Sequence, residues 1–477
     1  MDDGLELGFS TLDSEVTERS LPVEGSLPEW LSGAFVRNGP AAFEVDGDRV
    51  AHWFDGLAML HRFAFEGTDD EIRYTNRFLG SETRRRARDR GELDGQFATG
   101  SGGALERLRQ IAFGEPTDNC NVHVAAIDGR LVAMTEVPRY VELDPETLTT
   151  RGEFAFADDL GGHINCAHVI PDPHRGETVG LLTTFGRPSE YTLYRVADGA
   201  RRREEIATIA TDEPAYIHSF ALTESFVVLT EHPFVTRPLS FLLPGGESFV
   251  DQYDWHPERG TRFHVLDRDT GERVATAEAD PWFVFHHANA FERGGSDGSE
   301  TDGADELVVD LVAYPDPGVV DGLYLDEVAE WFRSGMDGEL RRFTVPLDGE
   351  RATSERRYAG VEMPRVAPAD RTREYRYVYG QGAAERDGNH VAKVDIETGE
   401  SRRWEESGTF VEEPVFVRAP GAERPSDEGV VLVTALNTTE ARTDLLVLDG
   451  ETLAERARAP LPHAVPFGFH GRYFPEW

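Results

Sequence analysis

Short runs in which apolar and polar side chains alternate recur along the chain, and many end in an aliphatic residue, an aspartate and a turn. The step occurs at Leu143-Asp144, Ala197-Asp198, Leu266-Asp267, Leu347-Asp348, Val394-Asp395 and Leu448-Asp449. Asp and Gly supply the side-chain cap and the positive φ that tight hairpins require. From position 144 through 198, 267, 348 and 395 to 449 the spacings are 54, 69, 81, 47 and 54 residues, the size of a four-stranded unit with loop insertions. A hairpin at Phe43-Glu44-Val45-Asp46-Gly47 would make a seventh unit. The pattern predicts an all-β, seven-bladed β-propeller with a cap of helices and loops on its top face.

Helix is expected in two places. Ala104 to Phe113 puts Leu105, Leu108, Ile111 and Ala112 on one face, and Leu325 to Ser334 forms a second short helix capped by Asp326. The polar stretches 293–306 and 420–429 read as loop insertions rather than linkers. Although 477 residues exceed the usual size of one core, a repeat-built ring accounts for them as a single domain, 1–477.

Charge narrows the function. Forty-eight Lys and Arg against 88 Asp and Glu give −40, which excludes a nucleic-acid surface. Lys393 is the only lysine. An acid-rich, lysine-poor chain suits a cytoplasm at molar salt, where the Debye length is about 3 Å and carboxylate repulsion is screened. The two cysteines, Cys120 and Cys166, make no disulfide framework. The acidic opening lacks the features of a signal peptide, and no apolar run approaches the roughly 18 residues of a transmembrane helix. A soluble, cytoplasmic protein that at most touches a membrane is expected.

The stretch Asp280 to Gly295 carries an aromatic strand into His286 and His287. His168, His218 and His470 likewise follow apolar, strand-like runs. The inner strands of a propeller face one axis, so histidines distant in sequence can converge there on a metal ion. Periodicity does not separate these four from the other histidines, among them His52, His61 and His123.

Motifs do separate them. Gly33-Ala34-Phe35-Val36-Arg37-Asn38-Gly39-Pro40, then His52-Trp53-Phe54-Asp55-Gly56, resemble the opening motifs of the carotenoid cleavage oxygenase family. Four histidine motifs of that family follow in order: Ala167-His168, His218-Ser219-Phe220-Ala221, Phe285-His286-His287-Ala288-Asn289-Ala290 and Gly468-Phe469-His470-Gly471. The resemblance runs from about residue 27 to 477. It departs at Ala41-Ala42, where Asn-Pro is usual, at Leu57-Ala58-Met59, which lacks a second acid, and at Val169-Ile170.

This resemblance implies a propeller with iron(II) on its axis, held by His168, His218, His286 and His470. His287 is not carried over. It further implies that Glu136 orients His218, Glu362 orients His286 and Glu413 orients His470, with no matching carboxylate for His168. A carboxylate accepting the distal N–H would fix each tautomer and aim the other nitrogen. The implied reaction is dioxygen-dependent scission of a C=C bond in a carotenoid or apocarotenoid, giving two carbonyl products without an organic cofactor. Cleavage of a stilbene, with a phenol-binding residue such as Tyr140 or Tyr253, is the alternative on the same scaffold, and a non-catalytic ligand-binding propeller is a third reading. Uptake of an apolar polyene makes Leu239, Phe241, Leu242 and Leu243, or Leu105, Leu108 and Ile111, candidates for contact with lipid.

Overall fold

The computed structural model describes residues 4–67, 71–91, 93, 117–238, 248–294, 304–385 and 387–477. Seven antiparallel sheets form the blades of a propeller. In the second to seventh blades the chain runs from the innermost strand outwards, and the turn before the outer strand holds the repeated aspartate. Asp144, Asp267 and Asp449 each accept bonds from the backbone N–H groups two and three residues on and from a threonine hydroxyl. Asp395 accepts the two backbone bonds and Asp348 one. Local side-chain chemistry thus sets the same reversal in blade after blade.

The seventh unit is not where the hairpin placed it. Glu44–Val45 and Asp48–Arg49 pair as a separate two-stranded ribbon between two strands of the first blade. That blade has the order Val16–Leu21, Ile72–Phe78, Leu57–Glu66, Ser32–Ala42, Gly471–Phe474. Its outer strand comes from the N-terminal segment and its innermost strand from the C-terminal one, so no third-to-fourth turn exists there to carry an aspartate. Glu24–Gly25 then adds to the outer edge of the seventh blade. The N-terminal segment therefore ties the first blade to the last.

Burial follows the ring. Separate apolar clusters fill the gaps between neighbouring blades: Phe35 and Phe63 meet Val430 and Leu445, and Val228 and Phe263 meet Leu307 and Val309. The largest cluster also takes in the cap, where Phe9, Trp53, Phe332 and Phe467 meet edge to face or stacked at 5.1 to 6.0 Å.

Helix is sparse, and one part of the expectation is corrected. The second short helix is a turn at Val328–Glu330 running into a π-turn at Trp331–Gly335, and Asp326 does not cap it. The Tyr324 carbonyl already accepts the N–H groups of Glu327 and Val328, so the first donors need no side chain. A helix that apolar periodicity did not signal, Glu82–Arg90, is capped by Ser81 and ends at Gly91, φ 68°. Five of its nine residues are arginine, so it has no apolar stripe to read. Leu105, Leu108, Ile111 and the rest of the 104–113 segment, with Leu239, Phe241, Leu242 and Leu243, lie outside the described residues. No described helix is long and apolar enough to cross a membrane.

Buried histidines away from the axis make the fold sensitive to acid. Burial pushes His61 down to about 3 and His232 to about 4. Between these values and the unfolded 6.5 the unfolded chain binds more protons, so stability falls as pH falls through that window. The melting temperature at constant salt is expected to drop from about pH 6.5 towards about pH 5. A flat profile over that range would contradict this account.

Candidate metal centre

Each of the four histidines sits at or beside an innermost strand. His168 lies between Ile164–Asn165 and Ile170–Asp172, and His218 precedes Ala221–Leu222. His286 is within Phe283–Arg293, and His470 precedes the closing strand Gly471–Phe474. The ring brings all four together, with one ligand atom from each within 4.8 Å of the others. His168 Nε2 is 3.1 Å from His218 Nε2, and His286 Nε2 is 3.3 Å from His470 Nε2. Nitrogens about 2.1 Å from a shared ion would stand roughly 3.0–3.4 Å apart along its coordination edges. The donor set therefore fits a metal.

The distal nitrogens face carboxylates. His218 Nδ1 donates to Glu136 at 2.5 Å, His286 Nδ1 to Glu362 at 2.6 Å and His470 Nδ1 to Glu413 at 2.8 Å. This fixes Nε2 as the lone-pair nitrogen in each. Burial keeps His168 neutral well below its ordinary range, and burial outweighs Glu413 in bringing His470 down to about 3. Burial alone would raise the Glu413 carboxyl, but Arg365 and then His470 more than reverse that, holding it well below the usual carboxylate range. An imidazole whose Nδ1–H is held by a carboxylate presents its Nε2 lone pair to a cation.

His287, one residue on, faces away. Its Nδ1 lies 2.7 Å from Ser219 Oγ and its Nε2 2.7 Å from Thr230 Oγ1. Because the Ser219 hydroxyl donates to the Phe285 carbonyl, His287 Nδ1–H donates to Ser219 and Nε2 accepts from Thr230. Both nitrogens are used in packing.

Two supporting residues escaped the sequence reading. The Tyr216 hydroxyl donates to Glu136 at 2.7 Å, and Arg365 donates to Glu413 at 2.7 Å and to the Gly471 carbonyl at 2.8 Å. Tyr216 lies two residues before His218, and both side chains reach Glu136. Arg365 was hidden by an irregularity: the register shifts between Glu362 and Arg365, with Met363 at φ 50°. That shift lets one strand serve both Glu413 and His286.

A cavity of about 210 Å³ opens above His218, His286 and His470. Trp53, Phe54, Phe285, Phe332 and Phe469 line it. Neither Tyr140 nor Tyr253 is on its wall. Tyr140 donates instead to Asn165 at 3.1 Å, and Tyr253 lies 5.7 Å from the Tyr216 ring. An apolar aromatic slot ending on three imidazoles suits a flat, unsaturated, uncharged molecule.

The profile of the family described as retinal pigment epithelial membrane protein matches residues 9–475. The chain belongs to this family, the carotenoid oxygenases. Among its relatives is a protein of Oryza sativa subsp. japonica named carotenoid cleavage dioxygenase 8 homolog A, chloroplastic. It is 33% identical over 98% of this chain and 87% of the relative. A carotenoid isomerooxygenase of Galleria mellonella is 32% identical over 97% and 95% of the two chains. The crystal structure of cobalt-substituted Synechocystis ACO superposes with a TM-score of 0.86 at 25% identity, covering 99% of each chain. This carotenoid oxygenase thus shares its whole propeller, not a fragment, with enzymes of the family.

Proposed function

We propose that the chain is an iron(II)-dependent dioxygenase that cleaves a conjugated C=C bond of a carotenoid or apocarotenoid into two carbonyl products. One observation carries the reading: four imidazoles converge, three of them carboxylate-backed, and those three close the end of an aromatic cavity. Imidazole donors suit iron among several first-row metals, and family membership favours iron. Bound there, iron(II) would supply the activation of dioxygen.

The chain's own residues do the rest. Glu136, Glu362 and Glu413 hold the ring orientations, and Tyr216 and Arg365 hold two of those glutamates in turn. Trp53, Phe54, Phe285 and Phe469 give the polyene apolar faces and exclude bulk water. The double bond cut is the one these walls hold over His218, His286 and His470. No side chain need act as a nucleophile. Stilbene cleavage is the second reading: Tyr314 lines the cavity, whereas Tyr140 and Tyr253 do not.

Two further proposals attend this reading. The apolar residues at 239–243 would dip into lipid to receive substrate, and the acidic surface would serve a cytoplasm rich in salt.

The test is anaerobic iron loading at high salt, then incubation in air with β-carotene, apocarotenals and a stilbene, with products identified by mass. Paired aldehydes or ketones from a polyene are expected. Turnover of the stilbene alone would move the assignment to that substrate, and a protein that takes up no metal would end the enzyme reading.

A further inference from the structure

A second cavity, of about 90 Å³, shares no wall residue with the aromatic one and reaches the cluster from the side of His168. Arg365, Arg371, Thr372 and His123 stand on its wall. Arg365 is committed to Glu413. Arg371 has no such partner: its hydrogen bond is to the Pro171 carbonyl at 3.4 Å, and no carboxylate among the described residues pairs with it. The acids around it are engaged elsewhere, Asp370 with Arg418 and Arg424 at 2.5 and 2.6 Å, and Asp172 with Arg268 at 2.8 Å. Arg472, on the closing strand and not on the cavity wall, forms no ion pair among the described residues; it lies 5.2 Å from the Phe474 ring. Burial, followed by the fields of Arg472 and Arg365, pushes Arg371 down to about 9, and Asp172 offsets this only in part.

Thr372 bears two independent marks. Its hydroxyl is buried with no partner, and its backbone is left-handed, at φ 66°. A β-branched residue rarely takes that conformation, and strain of this kind persists where the surroundings impose it. Here the Asn289 side chain accepts the Thr372 N–H at 3.0 Å, and a bridge to Thr223 pins the segment. An orphan hydroxyl and a guanidinium without a carboxylate, on the wall of one cavity, make a receptor for negative charge, whereas the proposed function gives the protein an apolar substrate.

We propose that this cavity binds one small inorganic monoanion, of halide size, between the Arg371 guanidinium and the Thr372 hydroxyl. The cavity has room for a small ion together with water. His168 is the histidine of the four without a carboxylate, and it is the one that lines this cavity. The anion would put negative charge on the side of the cluster that the glutamates leave bare.

Bromide is the probe, with the full-length chain. Crystals grown in bromide and measured at the bromine edge are expected to show an anomalous peak within hydrogen-bond reach of Arg371 and Thr372, absent in Arg371→Gln. In solution, with total monovalent salt held constant, exchanging gluconate for bromide should raise the wild-type melting temperature through selective binding to the folded state. Arg371→Gln should lose at least half of that rise. Thr372→Gly, which suits the left-handed backbone and so removes the hydroxyl without adding strain, should lose a comparable share. Absence of the peak in wild type at molar bromide overturns the proposal, as does an undiminished peak in Arg371→Gln or an equal bromide response in all three proteins. Neither readout depends on bound metal or on turnover.

Discussion

His286→Ala is expected to leave a folded protein that holds no stoichiometric iron and cleaves no polyene. The substitution removes one nitrogen from a set whose members stand 3.1 to 3.3 Å apart in pairs. Loss of an outer carboxylate typically costs about 10–100-fold in metal affinity, and loss of a ligand should exceed that. A second consequence is structural. Glu362 is buried, and His286 leads the partners that oppose the burial penalty on its carboxylate, ahead of the Met363 N–H and the Tyr314 hydroxyl. Removing a hydrogen bond to a buried carboxylate costs on the order of 1.5–3 kcal/mol, so the single variant should also melt earlier. Pairing it with Glu362→Gln removes that charge and should restore much of the melting temperature without restoring iron. Elemental analysis and thermal melts at the same salt separate the two effects. One iron per chain in His286→Ala would remove this histidine from the centre.

Dilution into low salt should unfold the protein. Against 88 acidic residues stand 48 basic ones, so 40 carboxylates have no cationic counterpart even if every Arg and Lys is paired. At about 1 M salt the Debye length of roughly 3 Å confines their repulsion to near neighbours, while at about 0.01 M it reaches roughly 30 Å and spans the blades. Repulsion then acts on the compact state far more than on the expanded one. The melting temperature is expected to fall by tens of degrees between these limits, with loss of near-ultraviolet circular dichroism before much strand signal goes. A melting temperature constant within a few degrees would refute the inference from the acidic composition.

The chain shows how unevenly a structure is written in its sequence. The turns were legible because an aspartate and the N–H groups that follow it act within a few residues of one another, as at Asp144, Asp267 and Asp449. That local chemistry marked the blades whose outer hairpin is continuous, and it misled at Phe43–Gly47, because the first blade is completed by the two ends of the chain. The four histidines and three glutamates could be named only through their motifs, since alternation alone did not set them apart from His123 or His287. Arg365 lay hidden behind a register shift, and the paired marks on Thr372, a positive φ and an orphan hydroxyl, exist only once the inner strands are in place.

By itself, then, the sequence determined the strands, their reversals, the order of the motifs and the excess of negative charge, all properties of short segments or of composition. Only the tertiary structure decided which nitrogens meet, which carboxylates reach them and which guanidiniums are left uncompensated. Those outcomes depend on ring closure, which sets residues from opposite ends of the chain side by side, and on burial, which turns an ordinary arginine or threonine into an unsatisfied one.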